Sequence, residues 1–161
     1  MRTAVVFLTG LLLGSAIATG VAQSNRLAGD NYVNHVGMAV ENFDEAFKFY
    51  TEKMGFPEAF TVKDAAGKPR LAYVQASKNT FVELQQAQPN GPKGLNHYGL
   101  HVQNLKAVVA ALKAKGVTVD EVRVRPDDSS VANATDPNGI RIEMFEFGPG
   151  SPQGKAVAAW K

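Results

Sequence analysis

Two histidines and two glutamates in this chain have the residue types and the spacing of a metal site. His35 precedes Glu83 by nearly the same interval as His97 precedes Glu143, and the chain contains only three histidines. Two imidazoles with two carboxylates suit nickel, zinc, cobalt, manganese or ferrous iron, and the geometry of the site selects among these metals. A divalent cation would also compensate the cost of removing two carboxylates from water.

The two histidines occupy equivalent positions in an internal repeat. Asn34 begins the stretch Asn-His-Val-Gly-Met-Ala-Val-Glu-Asn, and Asn96 begins Asn-His-Tyr-Gly-Leu-His-Val-Gln-Asn. Each stretch is followed by a helical pattern and then by a strand-rich run that carries one of the glutamates. We therefore predict that two related halves face each other and that each supplies one imidazole and one carboxylate to the same cation.

The first half predicts a strand, a helix and three further strands. In the first strand, over 32–40, apolar residues alternate with a set that contains His35, which places this histidine on the face opposite the covering helix. Asn42 has the sequence spacing of a capping box and begins the helix, which Gly55 ends. The three short strands that follow are predicted at about 56–63, 70–76 and 80–86.

The second half predicts the same order of elements. Its first strand covers 96–102, and Asn104 begins a helix that Gly116 ends. In the last strand, Glu143 shares with Arg141 the face that opposes the apolar row. The three strands after the helix are predicted at 117–124, 130–135 and 140–147.

The ends of the chain differ in composition from these halves. Residues 1–22 carry one charge, at Arg2, followed by an apolar run and then small residues, as in a secretory signal peptide. The alternative is an uncleaved anchor, because the uncharged stretch approaches the ~20 residues that span a bilayer. We expect a periplasmic or secreted protein without stable membrane association after cleavage, with a flexible leader at 23–31 and an irregular tail at 148–161.

Composition excludes several classes of function. The chain has no cysteine, so it has no disulfides, thiolate ligands or cysteine nucleophile. Its 17 lysines and arginines are balanced by 15 acidic residues without a run of like charge, which argues against a nucleic-acid partner. The expected partner is a small-molecule substrate.

The motifs resemble those of the vicinal oxygen chelate superfamily. Both halves carry His-x-Gly-x-x-Val, followed by Val-Glu-Leu in the first and by Asp-Pro-Asn-Gly-Ile-Arg-Ile-Glu in the second. This group includes glyoxalase I, extradiol dioxygenases, methylmalonyl-CoA epimerase and the bleomycin and fosfomycin resistance proteins. The resemblance spans 32–147 and implies an α+β domain. Two tandem βαβββ modules, 32–87 and 95–147, would form an open, cup-shaped mixed sheet with helices on the outside, often in a homodimer.

The ligand pattern is closest to that of bacterial glyoxalase I. Carried over to this chain, it assigns the metal to His35, Glu83, His97 and Glu143. Glyoxalase I has an arginine where this chain has Ala39 and an asparagine where it has Ala87, which argues against glutathione in the substrate. The predicted export argues against a CoA thioester, because these esters are intracellular.

Such a site would support proton transfer next to a carbonyl group. A metal bound by neighbouring oxygens of an α-hydroxycarbonyl or related substrate would stabilise an enediolate while a carboxylate moves the proton. Glu83 and Glu143 are both candidates for this base, and His101 is a candidate proton carrier. We therefore predict an exported, glyoxalase-like lyase or isomerase. The candidate substrate contacts on the cup wall are Phe81, Gln85, Arg141 and Phe145.

Two other functions are compatible with the sequence. An extradiol-type dioxygenase would hold ferrous iron with His35, His97 and Glu143, although Glu83 as a fourth ligand would crowd the positions for catechol and oxygen. A non-enzymatic small-molecule-binding protein, as in drug resistance, would not need the four candidate ligands. Metal content separates the three functions.

Overall fold

The computed structural model describes residue 27 and residues 29–148 and 150–161. The predicted signal peptide, 1–22, lies outside the described residues, as does much of the predicted leader. Within the described part, no helix has both the length and the apolar character needed to cross a bilayer.

The first module contains four strands and one short helix. Asn42 caps the helix as predicted, because its side chain accepts a hydrogen bond from the Glu45 backbone N–H at 3.2 Å. The helix ends in a π-helical turn, and Gly55 follows it with φ of 73°, a conformation that favours glycine. The elements are β1 (Tyr32–Val40), α1 (Phe43–Lys48, extended by the π-helical turn Phe49–Lys53), β2 (Glu58–Lys63), β3 (Pro69–Ser77) and β4 (Thr80–Gln86).

The second module repeats this order. Asn104 caps its helix by accepting from the Ala107 backbone N–H at 3.0 Å, as predicted. Of the strand predicted over 117–124, the structure contains only the last two residues and a single bridge from Val119 to Ala134. Val119 is buried in the core, whereas the residues that follow it run along the open edge of the sheet. The elements are β5 (Gly94–His101), α2 (Leu105–Ala114), β6 (Arg123–Val124), β7 (Ser130–Thr135) and β8 (Arg141–Glu146).

All eight strands form one open sheet in the order β2-β3-β4-β1-β5-β8-β7-β6. Within each module the first and last strands of the repeat pair in parallel, β1 with β4 and β5 with β8. The antiparallel pair β1–β5 joins the two modules at the centre of the sheet. The predicted α+β class and the open eight-stranded sheet are confirmed. Because β1 and β5 are adjacent, the histidines that they carry meet at the junction of the modules.

The outer face of the sheet carries the core. Helix α1 packs through Phe43 against Leu84 and Ala72, and α2 packs through Leu105, Val108 and Val109 against β7 and β8. Complete burial of such a side chain contributes about 1.5–3 kcal/mol. These contacts involve the strand residues that point to the outer face. The residues between them point to the opposite, inner face, which we call the cup.

The prediction of an irregular tail over 148–161 is wrong. Residues Pro152–Ala159 form a third helix, α3, which contacts β2. Its proline occupies the first turn, where no backbone hydrogen bond is lost, and Ser151 caps it by accepting from the Gly154 N–H at 3.0 Å. The predicted placement of helices on the outside holds for α1 and α2, whereas α3 contributes Gln153 to the cup.

Candidate metal centre and substrate cavity

The structure brings the four predicted metal ligands together in the cup. One nitrogen or carboxylate oxygen from each of them lies within 4.8 Å of the others, and all four residues are buried. The two Nε2 atoms of His35 and His97 are 3.0 Å apart, and Glu83 Oε2 is 3.4 Å and 3.5 Å from them, respectively. Glu143 Oε2 is 3.5 Å from His97 Nε2 and 4.0 Å from His35 Nε2.

These separations fit a divalent metal. Ligands about 2.0–2.2 Å from a tetrahedral ion stand roughly 3.3–3.6 Å from one another. Three of the four separations between a histidine Nε2 and a glutamate Oε2, at 3.4–3.5 Å, lie in this range. The donor set is also that of borderline metals such as zinc, nickel, cobalt and ferrous iron.

An asparagine precedes each of the two histidines, and its side-chain oxygen lies near the Nδ1 atom of the ring. The Asn34 side-chain amide donates to the Asn79 carbonyl at 2.9 Å, which turns its oxygen towards His35 Nδ1 at 3.3 Å. His35 therefore carries its proton on Nδ1 and presents the Nε2 lone pair to the other ligands. The asparagine was part of the predicted repeat, but no role had been predicted for it.

His97 contacts an asparagine of its own repeat and an arginine. Asn96 Oδ1 lies 3.1 Å from its Nδ1, and Arg141 Nη2 lies 2.7 Å from the same nitrogen. Because a guanidinium only donates, the Arg141 contact makes Nδ1 an acceptor and places the His97 proton on Nε2, where it can donate to His35 Nε2. Asn96 Oδ1 then accepts from Arg141 Nη2 at 3.0 Å and not from the ring. For Nε2 to bind a metal, this proton would have to move to Nδ1, where Asn96 Oδ1 could accept it.

The protonation states of two ligands suit metal binding. Burial lowers the pKa of His35 to about 4, although the negative charge of Glu83 opposes this effect, so the imidazole is neutral near pH 7. Burial alone would raise the pKa of Glu83, but hydrogen bonds from His97 and Tyr73 outweigh it and hold the pKa below its ordinary value. Neutral imidazole and ionised carboxylate are the forms that bind metals.

Tyr73 and Gln85 hold the carboxylate of Glu83. The Tyr73 hydroxyl donates to Glu83 Oε2, and Gln85 Nε2 donates to Oε1 at 2.5 Å. Burial raises the pKa of Tyr73 well above its ordinary value, so the hydroxyl remains a donor. Tyr73 is opposite Glu83 in the β3–β4 register, a pairing that sequence alternation alone does not reveal. Gln85 was predicted to contact substrate, and it lines the cavity beside Glu83.

Two arginines hold the carboxylate of Glu143. Arg125 Nη2 donates to Oε1 at 2.8 Å, and Arg141 Nη1 lies 3.6 Å from Oε2. Arg141 was predicted to bind substrate, but the structure places it behind the ligands, where it contacts His97 and also donates to Asn133 Oδ1 at 3.3 Å. Arg125 follows β6 and was missed, because its position beside the metal ligands depends on the curvature of the sheet.

Three other predicted site residues are not part of the ligand cluster or of the cavity lining. The His101 ring stacks on Tyr32 at 4.9 Å and contacts Phe147 at 4.4 Å, outside the ligand cluster. Phe81 and Phe145 are buried beneath the cup, where they pack against Tyr73 and His35. Neither phenylalanine is part of the cavity lining.

A cavity of about 670 Å³ opens beside Glu83. The other three candidate ligands are not part of its lining. Its walls combine residues of both modules with two residues of α3. The apolar part of the lining is Phe60, Val62, Leu71, Tyr73, Pro126 and Pro152, and the polar part is Arg70, Glu83, Gln85, Arg125, Asp127 and Gln153.

Comparison with known proteins identifies the superfamily. The sequence model of the Glyoxalase/Bleomycin resistance protein/Dioxygenase superfamily matches residues 32–144, which is most of the chain, and the chain therefore belongs to this superfamily. The resemblance seen in the motifs is thus confirmed.

Relatives within this superfamily include an epimerase and a lyase. The chain is 26% identical to a 2-epi-5-epi-valiolone epimerase of Actinomyces sp, over 74% of this chain and 81% of the relative. It is 27% identical to a probable lactoylglutathione lyase of Vibrio parahaemolyticus, over 70% and 88% of the two chains. The crystal structure of methylmalonyl-CoA epimerase from Mycobacterium tuberculosis has the same fold, with a TM-score of 0.62 at 22% identity over 85% of this chain and 99% of that one.

Proposed function

We propose that this protein is a metal-dependent, glyoxalase-like lyase or isomerase that moves a proton next to the carbonyl group of a small α-hydroxycarbonyl or related substrate. The observation that carries the proposal is the position of Glu83. Its carboxylate lies within 3.5 Å of both histidine Nε2 atoms and also lines the cavity. A single carboxylate thus touches both the metal cluster and the space for a substrate.

The four clustered residues would hold a divalent ion such as nickel, zinc, cobalt, manganese or ferrous iron. When bound, such an ion polarises a carbonyl oxygen and compensates the negative charge of an adjacent enolate. The lyase and epimerase relatives are consistent with proton-transfer chemistry of this kind.

Glu83 is the base in this proposal. It would accept a proton from the carbon next to the carbonyl and return it either to the same carbon or to its neighbour, so that no other reactant is needed. The Tyr73 hydroxyl and the Gln85 amide hold the carboxylate in position. Glu143, by contrast, is bound by Arg125 and is not part of the cavity lining, so it would serve as a ligand.

Helix α3 would shield this proton transfer from water. Gln153 is buried, hydrogen-bonds Tyr73 and lines the cavity together with Pro152. A dry site strengthens the electrostatic interactions within it and limits proton exchange with solvent.

Deuterium incorporation tests the proposal. The purified protein is analysed for metal and then incubated in D₂O with dihydroxyacetone, or with methylglyoxal with and without glutathione, while NMR follows exchange of the protons next to the carbonyl. We expect about one metal per chain and exchange that Glu83→Gln reduces by at least about 100-fold. Glu52→Gln, at an exposed position, is the control and should match the unmodified protein. Full exchange in Glu83→Gln would refute the assigned base.

The same preparation separates the alternative functions. Bound iron that consumes oxygen with a catechol, without carbon-bound proton exchange, would favour a dioxygenase. Tight binding of a small molecule without metal or exchange would favour a non-enzymatic binding protein. The position of Glu83 between the histidines and the cavity supports proton transfer over these alternatives.

We also propose that the protein acts after export, with residues 1–22 removed. The support is the apolar, nearly uncharged composition of this stretch. N-terminal sequencing of the protein recovered from a periplasmic or culture-medium fraction should begin near Gln23. Recovery of the intact chain in the cytoplasm would contradict the proposal.

A further inference from the structure

We infer that the cavity binds a substrate with an anionic group, a carboxylate or a phosphate, which Arg70 and Arg125 contact while the carbonyl group lies at Glu83. The inference rests on the proposed function, since it names the substrate class of the same site. It follows from the charges that line the cavity and from how each of them is already paired.

The acidic groups of the lining are already engaged. Glu83 is directed at the two histidines and at Tyr73. Asp127 accepts a hydrogen bond from the Ser129 backbone N–H at 3.1 Å, within its own turn. With a divalent ion balancing Glu83 and Glu143, the remaining charge of the cavity is positive.

The two arginines retain donors for a ligand. Arg125 uses Nη2 to bind Glu143, but 42% of its side chain is exposed, and a guanidinium has five N–H groups. Arg70 is exposed and forms no ion pair within the described part of the chain. Guanidinium groups bind carboxylate and phosphate with paired hydrogen bonds, which an ammonium group cannot do.

The two arginines come from different modules. Arg70 lies near the start of β3 and Arg125 directly follows β6, and these strands are close to opposite ends of the sheet order. Both nevertheless line one cavity, because the sheet curves into a cup. A ligand in this cavity is therefore within reach of cations from both halves of the molecule.

The rest of the lining restricts what the anionic group is attached to. Phe60 stacks on Tyr73 at a centroid distance of 4.6 Å, and Val62 and Leu71 extend this apolar wall. A volume of about 670 Å³ is in the range of sites for small molecules. The substrate class is thus a small hydroxycarbonyl compound with a short carbon skeleton and a terminal anion.

Binding of matched ligands tests this inference independently of catalysis. Dihydroxyacetone, its phosphate and 3-hydroxypyruvate share a hydroxycarbonyl group and differ in the terminal group, so calorimetric titration into the metal-loaded protein measures the contribution of the anion. We expect the phosphate or the carboxylate compound to bind at least about tenfold more tightly than dihydroxyacetone. Arg70→Gln and Arg125→Gln should each remove most of this advantage.

Arg123→Gln is the matched control. Arg123 is an exposed arginine on β6, two residues before Arg125, and is not part of the cavity lining. Its replacement removes the same charge, and the ratio of the affinities for anionic ligands and dihydroxyacetone should stay within about twofold of the ratio in the unmodified protein. Because Arg125 also contacts Glu143, the metal content of each variant is measured, and the comparison with Arg70→Gln isolates ligand binding.

Equal binding of the three ligands, or an unchanged anion advantage in Arg70→Gln and Arg125→Gln, would overturn the inference. Neither result would affect the proposed proton transfer, which deuterium exchange measures separately. Conversely, tight binding of anionic ligands without exchange would refute the proposed function and leave the assigned ligand class intact.

Discussion

The imidazole ring of His35 lies over Gly99, its partner in the β1–β5 pair, and a Cβ atom at Gly99 would overlap that ring. The reciprocal relationship holds between His97 and Gly37. The two His-x-Gly motifs are antiparallel, so the histidine of each stands opposite the glycine of the other. Each glycine therefore provides space for the metal ligand of the other module, which explains why the two residues recur together.

Replacement of Gly99 by alanine should displace the His35 ring. We expect metal affinity to fall by about 10–100-fold or more, as when the support of a ligand is lost. Overpacking should also reduce the free energy of unfolding of the metal-free protein by about 1–3 kcal/mol. Metal titration and urea unfolding measure these effects. Gly150→Ala is the control, because a Cβ there would meet its nearest atom, Asp127 O, at 3.5 Å. Unchanged metal affinity in Gly99→Ala would contradict this interpretation.

Replacement of Asn34 by alanine should weaken metal binding by removing the oxygen that faces His35 Nδ1. A loss of about 10–100-fold in affinity is expected for such a contact. Asn34→Asp retains an acceptor at this position and should recover part of the affinity, although it loses the donor to the Asn79 carbonyl. Equal affinities of the alanine and aspartate variants would show that this acceptor does not orient the ring.

Replacement of Tyr73 by phenylalanine should raise the pKa of Glu83, because the carboxylate loses a hydrogen bond that lowers it. The acidic limb of the proton-exchange profile should move to higher pH. The ring contacts with Phe60 and Phe81 can remain, so a change in the profile would not reflect lost packing. Tyr50→Phe is the control, because Tyr50 lies in the π-helical turn that extends α1 and packs against the core cluster of Phe43 and Leu84. An unchanged profile in Tyr73→Phe would count against its contact with the base.

The metal-free protein should lose stability as pH falls from about 6.5 to about 4. The folded state lowers the pKa of His35 from 6.5 to about 4, so in this interval the unfolded chain binds more protons. The contribution of the neutral His35 imidazole to the free energy of unfolding has its full value above pH 6.5. Up to roughly 3 kcal/mol of this contribution is lost by pH 4. Glu83, whose pKa is also lowered, acts in the same direction at the acidic end of the range.

Urea unfolding of chelator-treated protein at several pH values measures this dependence. His35→Gln removes the titrating group and should have a flatter profile over the same interval. A profile of the unmodified protein that is flat between pH 6.5 and pH 4 would contradict the assigned effect of burial.

Much of the fold could be predicted from the sequence because its signals are local. The helix caps at Asn42 and Asn104 depend on residues three positions apart, and strand alternation determines which side chains share a face. The repeat then indicated that His35 and His97 are equivalent, and the structure brings them together with Glu83 and Glu143. The helix in the tail was missed because its proline and glycine were taken as helix breakers, whereas the proline lies in the first turn.

The neighbours of these ligands were decided by the tertiary structure alone. Alternation assigns a residue to a face, but it does not determine register, so the contact of Tyr73 with Glu83 became visible only when β3 was paired with β4. The contact of Arg125 with Glu143 and the entry of Gln153 into the cup join elements that are distant along the chain. The sequence thus determined the residue types and faces of the site. The curvature and register of the sheet determined which of them touch, because side-chain proximity between distant segments arises only from packing.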